Sequence, residues 1–480
     1  MATRRPIEPM PCHLRTVTPP PDRAALRRAV AAYSDGVMLE SVATDTPSGR
    51  YSLYGLQPVR VFATRTRDPF DRLAREMRPW QTTSRPERCP WAGAWIGHLG
   101  YEAGRFIEPT AGFKGGAAAI PLSRWRLFDT LLIHDASTDE WTATAVDLPA
   151  TLARQQRPPA SERLNALERF MRSLPPAPGA AVPPPNAGVW NMSRDGYRRR
   201  VEQALSYIRA GDIFQVNLAR QFSAPFVGSA VDLYQRLCEA NPAAYAAFLA
   251  FPRSSRSEAT AVLSSSPELF LRVRGRDVVT RPIKGTRPRV DETGADRTAR
   301  AELKSSDKDR AELNMIIDLE RNDLGRVCEY GSVRVAHDGQ IETFPTVFHR
   351  TATVVGRLRE DTDAIDLLRA AFPGGSITGA PKVRAMQIIR ELEPEARGPY
   401  CGAIGIIGLN GDMQLNLAIR TMRVHGGVAR LAVGGAIVVD SDPDEEYAET
   451  GAKARGMLAA LGARTPDEPS VPVAAGCGTP

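Results

Sequence analysis

Val262-Leu-Ser-Ser-Ser-Pro-Glu-Leu-Phe-Leu-Arg-Val273 and, shortly after it, Arg281-Pro-Ile-Lys-Gly-Thr-Arg-Pro-Arg289 are the two runs on which the fold turns. The first is rich in β-formers and breaks at Ser266-Pro-Glu268, because proline has no N–H to give to a ladder. A strand break, a hairpin and a second extended run predict antiparallel pairing, with the Glu268 carboxylate and the Lys284 amine meeting across neighbouring strands. Two prolines fix φ around Lys284, and Gly285 lets a backbone approach a ligand closely.

Two meanings stay open for that pair. It is a cross-strand ion pair, or it is a nucleophile with its base. A lysine nucleophile must lose its proton, and from a reference pKa near ~10.4 this needs desolvation, a cationic neighbour or a local base such as Glu268.

Further along, Val347 to Leu358, Gly402 to Leu409 and Val428 to Val439 read as strands, and Lys308 to Leu319 and Glu445 to Leu461 as helices. Upstream, Trp95 to Glu102 and Leu127 to Ile133 read as buried strands. Ser193 caps a predicted helix with apolar Tyr197, Val201, Leu205 and Ile208; Gly211 ends it and a strand follows from Ile213 to Phe222. Antiparallel strands in runs, with helices around them, argue for an α+β fold. The run Pro175 to Pro185 reads as a linker or surface loop, dividing the chain into 1–174, 175–188 and 189–462, with a disordered tail over 463–480.

The 480 residues are 42% hydrophobic and 24% charged, ordinary for a globular protein of one large body or two or three domains. No apolar run approaches the ~20 residues that span a bilayer, and the N-terminus has no signal-peptide core, so a cytoplasmic protein is expected. The net charge of +7 is spread among interleaved acids, which argues against a nucleic-acid footprint. The six cysteines stand singly, without zinc or iron–sulfur spacing.

Two acidic pairs suit a hard metal. Asp309 and Glu312 lie three apart on one helix face, as do Glu446 and Glu449. Mg²⁺ takes one or two carboxylates plus ligand oxygens and water, although solvated helix faces give the same spacing. The glycine-rich turns Pro373-Gly-Gly-Ser-Ile-Thr-Gly-Ala-Pro-Lys382 and Gly434-Gly-Ala436 match no nucleotide loop. With Lys382, Arg384 and Arg420 in the same segments, a carboxylate ligand is expected.

Taken in order, these motifs resemble the large subunits of the chorismate-using family that includes anthranilate synthase and aminodeoxychorismate synthase. The matching segments are Gly211-Asp-Ile-Phe-Gln-Val-Asn-Leu218, Ser266-Pro-Glu268, Pro282 to Arg289, Ile317-Asp-Leu-Glu-Arg-Asn-Asp323, Gly375 to Lys382, Ile419-Arg-Thr421 and the acidic last helix. They cover residues 190 to 462, with a weaker N-terminal match. The resemblance implies two packed antiparallel sheets flanked by helices, with the active site in the central cleft.

It also implies roles. Mg²⁺ would bridge Glu312 and Glu449 to the ring carboxylate of chorismate, with Asp309 and Glu446 behind them. Gly285, Thr286, Thr378, Tyr400, Arg420, Gly434, Gly435, Ala436 and Lys453 would line the substrate; the family usually has glycine where Ala436 stands. Lys284 would attack C2 as the 4-hydroxyl leaves, Glu268 would transfer protons and His349 would give polar support. Anthranilate synthases resemble P-I-A-G-T-R at this motif, so Lys284 points to the aminodeoxychorismate synthase branch. Gln215 stands where isochorismate and salicylate synthases have a water-activating lysine.

Ammonia would come from a separate glutamine amidotransferase subunit, and the product would lead to 4-aminobenzoate and folate. Glu40, Ser41 and Tyr245 resemble the family's tryptophan pocket. The alternatives are an anthranilate synthase large subunit, another amino-chorismate synthase, or a tryptophan-binding regulatory protein without catalysis.

Overall fold

Strands from both sides of the proline-rich run are woven into the same two sheets. The computed structural model describes residues 9–43, 48–86, 89–115, 120–149, 157–177, 179, 186–252, 260–289, 293–344 and 347–464. Residues 178 and 180–185 of the expected linker, and 465–480 of the expected tail, lie outside them.

Among the described residues one sheet has 12 strands. Its order runs Cys12–Thr16, Glu140–Val146, Thr130–Asp135, Tyr51–Gly55, Val37–Glu40, Tyr245–Phe251, Thr260–Ser266, Thr421–His425, Val428–Ile437, Gln215–Pro225 and Val189–Trp190, with Gly379–Ala380 beside Gln215–Pro225. The other has 10 strands. It runs Ile283–Pro288, Val347–Arg357, Asp277–Arg281, Leu269–Arg274, Met413–Leu417, Ala403–Gly408, Ala94–Leu99, Ser123–Phe128 and Arg60–Thr64, with Arg334–Thr343 beside Val347–Arg357. Every ladder in both is antiparallel, so the expected α+β class with two antiparallel sheets is the one found.

The sheets meet through a shared apolar layer in which Leu53, Ile133, Leu249 and Val262 of one face Ile96, Ile404 and Ile406 of the other. Each such side chain, taken fully out of water, stabilises the fold by roughly 1.5–3 kcal/mol. Helices cover the outer faces. Arg23–Ala32, Ala160–Arg172, Ala230–Ala240 and Pro443–Leu461 bury their apolar stripes on the larger sheet.

Local chemistry sets the helix ends. Ser193 accepts from Gly196 N at 3.1 Å to start Arg194–Arg209, whose Tyr197, Val201 and Leu205 point inward as their spacing predicts. Ser306 caps Asp307–Gly325 in the same way, longer than the predicted Lys308 to Leu319. Asp442 and Pro443 start the last helix, which places Glu446 in its first turn and Glu449 one turn on.

Two predicted strands are rebuilt. Tyr101–Phe106 is a 3₁₀ helix, because Glu102 turns inward to accept from Arg397 N and Gly398 N. The run Leu127 to Ile133 divides at Asp129, where the chain passes from one sheet to the other and Arg157 and Arg163 hold the carboxylate. After the last helix, Ala463–Arg464 pairs in parallel with Asn186–Ala187. No helix among the described residues is long and apolar enough to cross a membrane.

Candidate active site

Lys284 projects from a β-bulge. Against Val347–Arg357, Ile283 pairs with Thr351 but Thr286 pairs with His349, so one extra residue is accommodated at Lys284-Gly285. Gly285 takes φ +80, and a Cβ on it would stand 2.8 Å from both Asp309 Cγ and Leu303 Cδ1. Conformation and space both demand glycine there.

The strand of Lys284 is not the neighbour of the strand that follows Glu268; Val347–Arg357 and Asp277–Arg281 lie between them. The predicted cross-strand meeting therefore gives way to a bridged one. Lys284 Nζ donates to the carbonyl of Ser376 at 3.3 Å, and Ser376 Oγ donates to Glu268 Oε1 at 2.6 Å. Burial lowers the pKa of the Lys284 ammonium, aided by Lys453 and opposed by Glu312, Glu268 and Glu449. Burial also pushes the Glu268 carboxyl up to about 7, against the Ser376 hydrogen bond and the charges of Lys284 and Lys453. Near neutral pH the site thus holds a carboxyl in both forms beside a half-buried amine whose charged form burial disfavours.

Glycine-rich strand Val428–Ile437 and the last helix form an acidic wall. A Cβ on Gly435 would lie 2.8 Å from Glu446 Oε2 and 3.9 Å from Glu449 Oε1, so both carboxylates face the same bare backbone. Glu446 Oε1 accepts from Ser441 Oγ, while its buried Oε2 has no hydrogen-bond partner. Burial, with the charge of Glu449, pushes the Glu446 carboxyl up to about 7. Burial pushes Glu449 up as well, but the Lys453 ammonium at 2.5 Å outweighs it and holds the carboxyl below its ordinary value. Lys453 also donates to Gly434 O at 2.9 Å. Glu312 is raised by burial, and Glu449 and Asp309 add to the negative field around it. Asp309 itself is paired with Arg287 at 3.1 Å.

Among the described residues no three His, Cys, Asp or Glu form a ready metal cage. A sparse carboxylate set with an orphaned oxygen instead suits a hard divalent cation that completes its shell with water and ligand oxygens.

On the other side, Thr286 Oγ1 and His349 Nδ1 are 2.8 Å apart. Burial and the nearby Arg420 push the His349 pKa down to about 3, so its imidazole is neutral and acts through hydrogen bonds. Arg420 takes φ +48, and burial alone lowers the pKa of its half-buried guanidinium, with no described carboxylate opposing it, which leaves it to receive an anion. Tyr400 is buried, and Ala436 pairs with Asn217. Thr378 is fully buried and spends its hydroxyl on Gly374 O and Gly375 O. Gln215 is also fully buried, with neither amide atom hydrogen-bonded.

Two cations expected to meet the ligand are already engaged. Lys382 lies 2.5 Å from Asp323, and Arg384 lies 2.6 Å from Asp212. Of the residues expected to hold tryptophan, Glu40 is fully buried between Arg27 and Tyr54, which satisfy its carboxylate. Ser41 Oγ is buried without a partner, and Tyr245 is buried. Ser376 escaped the reading of the sequence because a serine in a glycine-rich turn signals only the turn. Arg397, which holds Ile377 O and Asn217 O at 2.8 Å, carried no local signal either.

A model of the chorismate binding enzyme family matches residues 39–459. Anthranilate synthase component 1 of Streptomyces coelicolor is 40% identical over 440 residues, which cover 89% of this chain and 83% of that protein. Aminodeoxychorismate synthase component 1 of Bacillus subtilis is 36% identical over 444 residues, 88% of this chain and 91% of that protein. The crystal structure of anthranilate synthase component I from Streptococcus pneumoniae superposes with a TM-score of 0.74 at 31% identity, covering 85% of this chain and 92% of that one. The chain belongs to the chorismate binding enzyme family, and the cleft around Lys284 lies within the matched residues.

Proposed function

We propose that this chain is the large subunit of an aminodeoxychorismate synthase, converting chorismate and ammonia to 4-amino-4-deoxychorismate. The observation that carries the reading is Lys284, a half-buried amine whose charge is disfavoured, joined through Ser376 to a carboxyl poised near 7.

Glu312 and Glu449, with Asp309 and Glu446 behind them, would hold a Mg²⁺ ion on the acidic wall. When bound, that ion supplies positive charge to the substrate carboxylate. Arg420 would receive the second carboxylate, and Gly434, Gly435 and Ala436 would let the ring approach the backbone. Lys284 then bonds to C2 while the ring double bonds shift and the C4–O bond breaks. Glu268 gives its proton to the departing oxygen, which leaves as water, and takes one from the newly bonded nitrogen. Ammonia bonds to C4, the double bonds shift back and the C2–N bond to Lys284 breaks, as Glu268 gives a proton to the departing amine and takes one from the incoming nitrogen. Two easier displacements replace one difficult one.

Ammonia is supplied by a separate glutamine amidotransferase, as the "component 1" names of the relatives suggest. The product would serve 4-aminobenzoate and folate synthesis in the cytoplasm. A tryptophan site at Glu40, Ser41 and Tyr245 would have to take its ligand's ammonium elsewhere than on Glu40, which Arg27 and Tyr54 already neutralise.

The 40% identity to the Streptomyces coelicolor protein favours anthranilate synthase as the second reading. The purified chain with chorismate, Mg²⁺ and an ammonium salt decides between them. Mass spectrometry and coupling to a 4-amino-4-deoxychorismate lyase should identify the 4-amino product; anthranilate alone would overturn the proposal.

A further inference from the structure

Ser376 touches both halves of the amine–carboxyl pair. Its carbonyl accepts from Lys284 Nζ at 3.3 Å, and its hydroxyl donates to Glu268 Oε1 at 2.6 Å. Backbone and side chain of one residue therefore set where the amine stands relative to the carboxyl.

The turn that carries it has little room to move. Ser376 is 5% exposed. A Cβ on Gly375 would stand 2.6 Å from Leu319 Cδ2, and one on Gly374 would stand 2.9 Å from Leu417 Cδ1. Thr378 Oγ1 closes the turn onto Gly374 O at 2.9 Å, and Arg397 Nη1 holds Ile377 O at 2.8 Å. Glu268 is fixed from its other end as well, since Ser266 Oγ accepts its N–H at 3.2 Å and donates to Leu417 O at 2.6 Å. A hydroxyl seated this firmly beside a carboxyl is oriented before any substrate arrives.

We propose that Ser376 is a positioning residue that couples Glu268 to Lys284, its hydroxyl holding the carboxylate in place while its carbonyl aims the amine. This rests on the reading of Lys284 as nucleophile and Glu268 as its proton-transfer partner. The hydroxyl favours the charged carboxylate, as a donor to a carboxylate does. Its loss raises the Glu268 pKa and withdraws negative charge from beside Lys284 at neutral pH. The other titratable groups around this pair are Lys453, Glu320 and Cys401 toward Glu268, and Glu312, Lys453 and Glu449 toward Lys284. None of them changes in a Ser376 variant.

The test uses the full chain with Ser376→Ala, Ser376→Val and Ser376→Thr, where Val and Thr differ only in the hydroxyl. With chorismate, Mg²⁺ and ammonium chloride, Ala and Val should lower kcat on the order of 10- to 100-fold and leave the chorismate KM nearly unchanged, while Thr restores most of kcat. The basic limb of the kcat profile, where Glu268 loses the proton that it gives to the departing oxygen, should move to higher pH in Ala and Val only. Without chorismate, the pH at which Lys284 becomes half-reactive toward an acylating reagent, followed by peptide mass spectrometry, should fall in Ala and Val and stay in place in Thr. This labelling does not depend on the product, so a shifted midpoint supports the coupling even if the product is anthranilate. An unshifted midpoint in both Ala and Val, or a kcat loss that Thr shares, overturns it.

Discussion

Arg397 and Glu393 form an ion pair at 2.6 Å that is almost wholly removed from solvent. The guanidinium spends its remaining donors on Ile377 O and Asn217 O, tying the turn that carries Ser376 to the strand that carries Gln215. A buried charge left alone costs far more than the pair is worth. Glu393→Ala should therefore destabilise the protein by about 3–5 kcal/mol, read from the urea midpoint. A midpoint unchanged from that of the parent would mean that the guanidinium finds another counter-charge.

Lys284→Ala should abolish any chorismate-derived adduct on the protein and lower ammonia-dependent turnover on the order of 10³-fold or more, with the melting temperature unchanged or raised. Removing a desolvated amine relieves a buried cost, so the fold has no reason to weaken. Intact-protein mass spectrometry after a chorismate quench checks it, and an adduct that survives would place the nucleophile elsewhere.

Gly285→Ala should damage stability and turnover together. The residue needs φ +80, and its Cβ would press on Asp309 and Leu303. Expected is a loss on the order of 1–3 kcal/mol, with a fall in kcat as the bulge flattens. A variant as stable and active as the parent would show that the helices Thr293–Ser305 and Asp307–Gly325, which carry Leu303 and Asp309, yield freely.

His98 and His349 are both buried, and both have pKa values pushed down to about 3, below the ordinary 6.5. The unfolded chain takes up their protons first as pH falls. Their stabilising effect is thus complete above about 6.5 and is lost progressively down to about 3, each adding a slope of about 1.4 kcal/mol per pH unit. His98 donates only to Pro121 O at 3.0 Å and lies outside the cleft. His98→Gln should therefore lower the slope of unfolding free energy between pH 6 and pH 4.5 by one such increment; an identical slope would show that His98 is protonated in the fold.

Glu449→Gln should raise the Mg²⁺ concentration for half-maximal turnover at least ~10-fold. It should also shrink the rise in melting temperature that Mg²⁺ and chorismate together produce, because only ligands that bind the folded state stabilise it. A chelator should remove both effects in the parent. Retention of the full thermal shift in the variant would assign the ion to other groups.

Local order was readable from local chemistry. Ser193 with the apolar spacing of Tyr197, Val201 and Leu205 specified a helix, and Ser306, Asp442 and Pro443 mark starts that any reader of caps can find. The fold class followed from strand runs and motif order. What escaped was long-range. Asp129 switches the chain between sheets because two distant arginines hold it, and Tyr101–Phe106 coils because Glu102 answers backbone N–H groups almost 300 residues away. The Glu268 and Lys284 segments were expected to be strand neighbours; two intervening strands separate them, and Ser376 closes the gap. Lys382 and Arg384 looked free because Asp323 and Asp212 were invisible as their partners.

The bulge at Lys284 has a consequence for how such a scaffold changes its chemistry. Its geometry is set by Gly285 and by the helices pressed against that glycine, while the side chain at 284 extends from the kink to the Ser376 carbonyl. Identity at 284 is therefore free to vary without disturbing the architecture around it. The kink fixes where a reagent stands, and residue 284 alone decides what that reagent is.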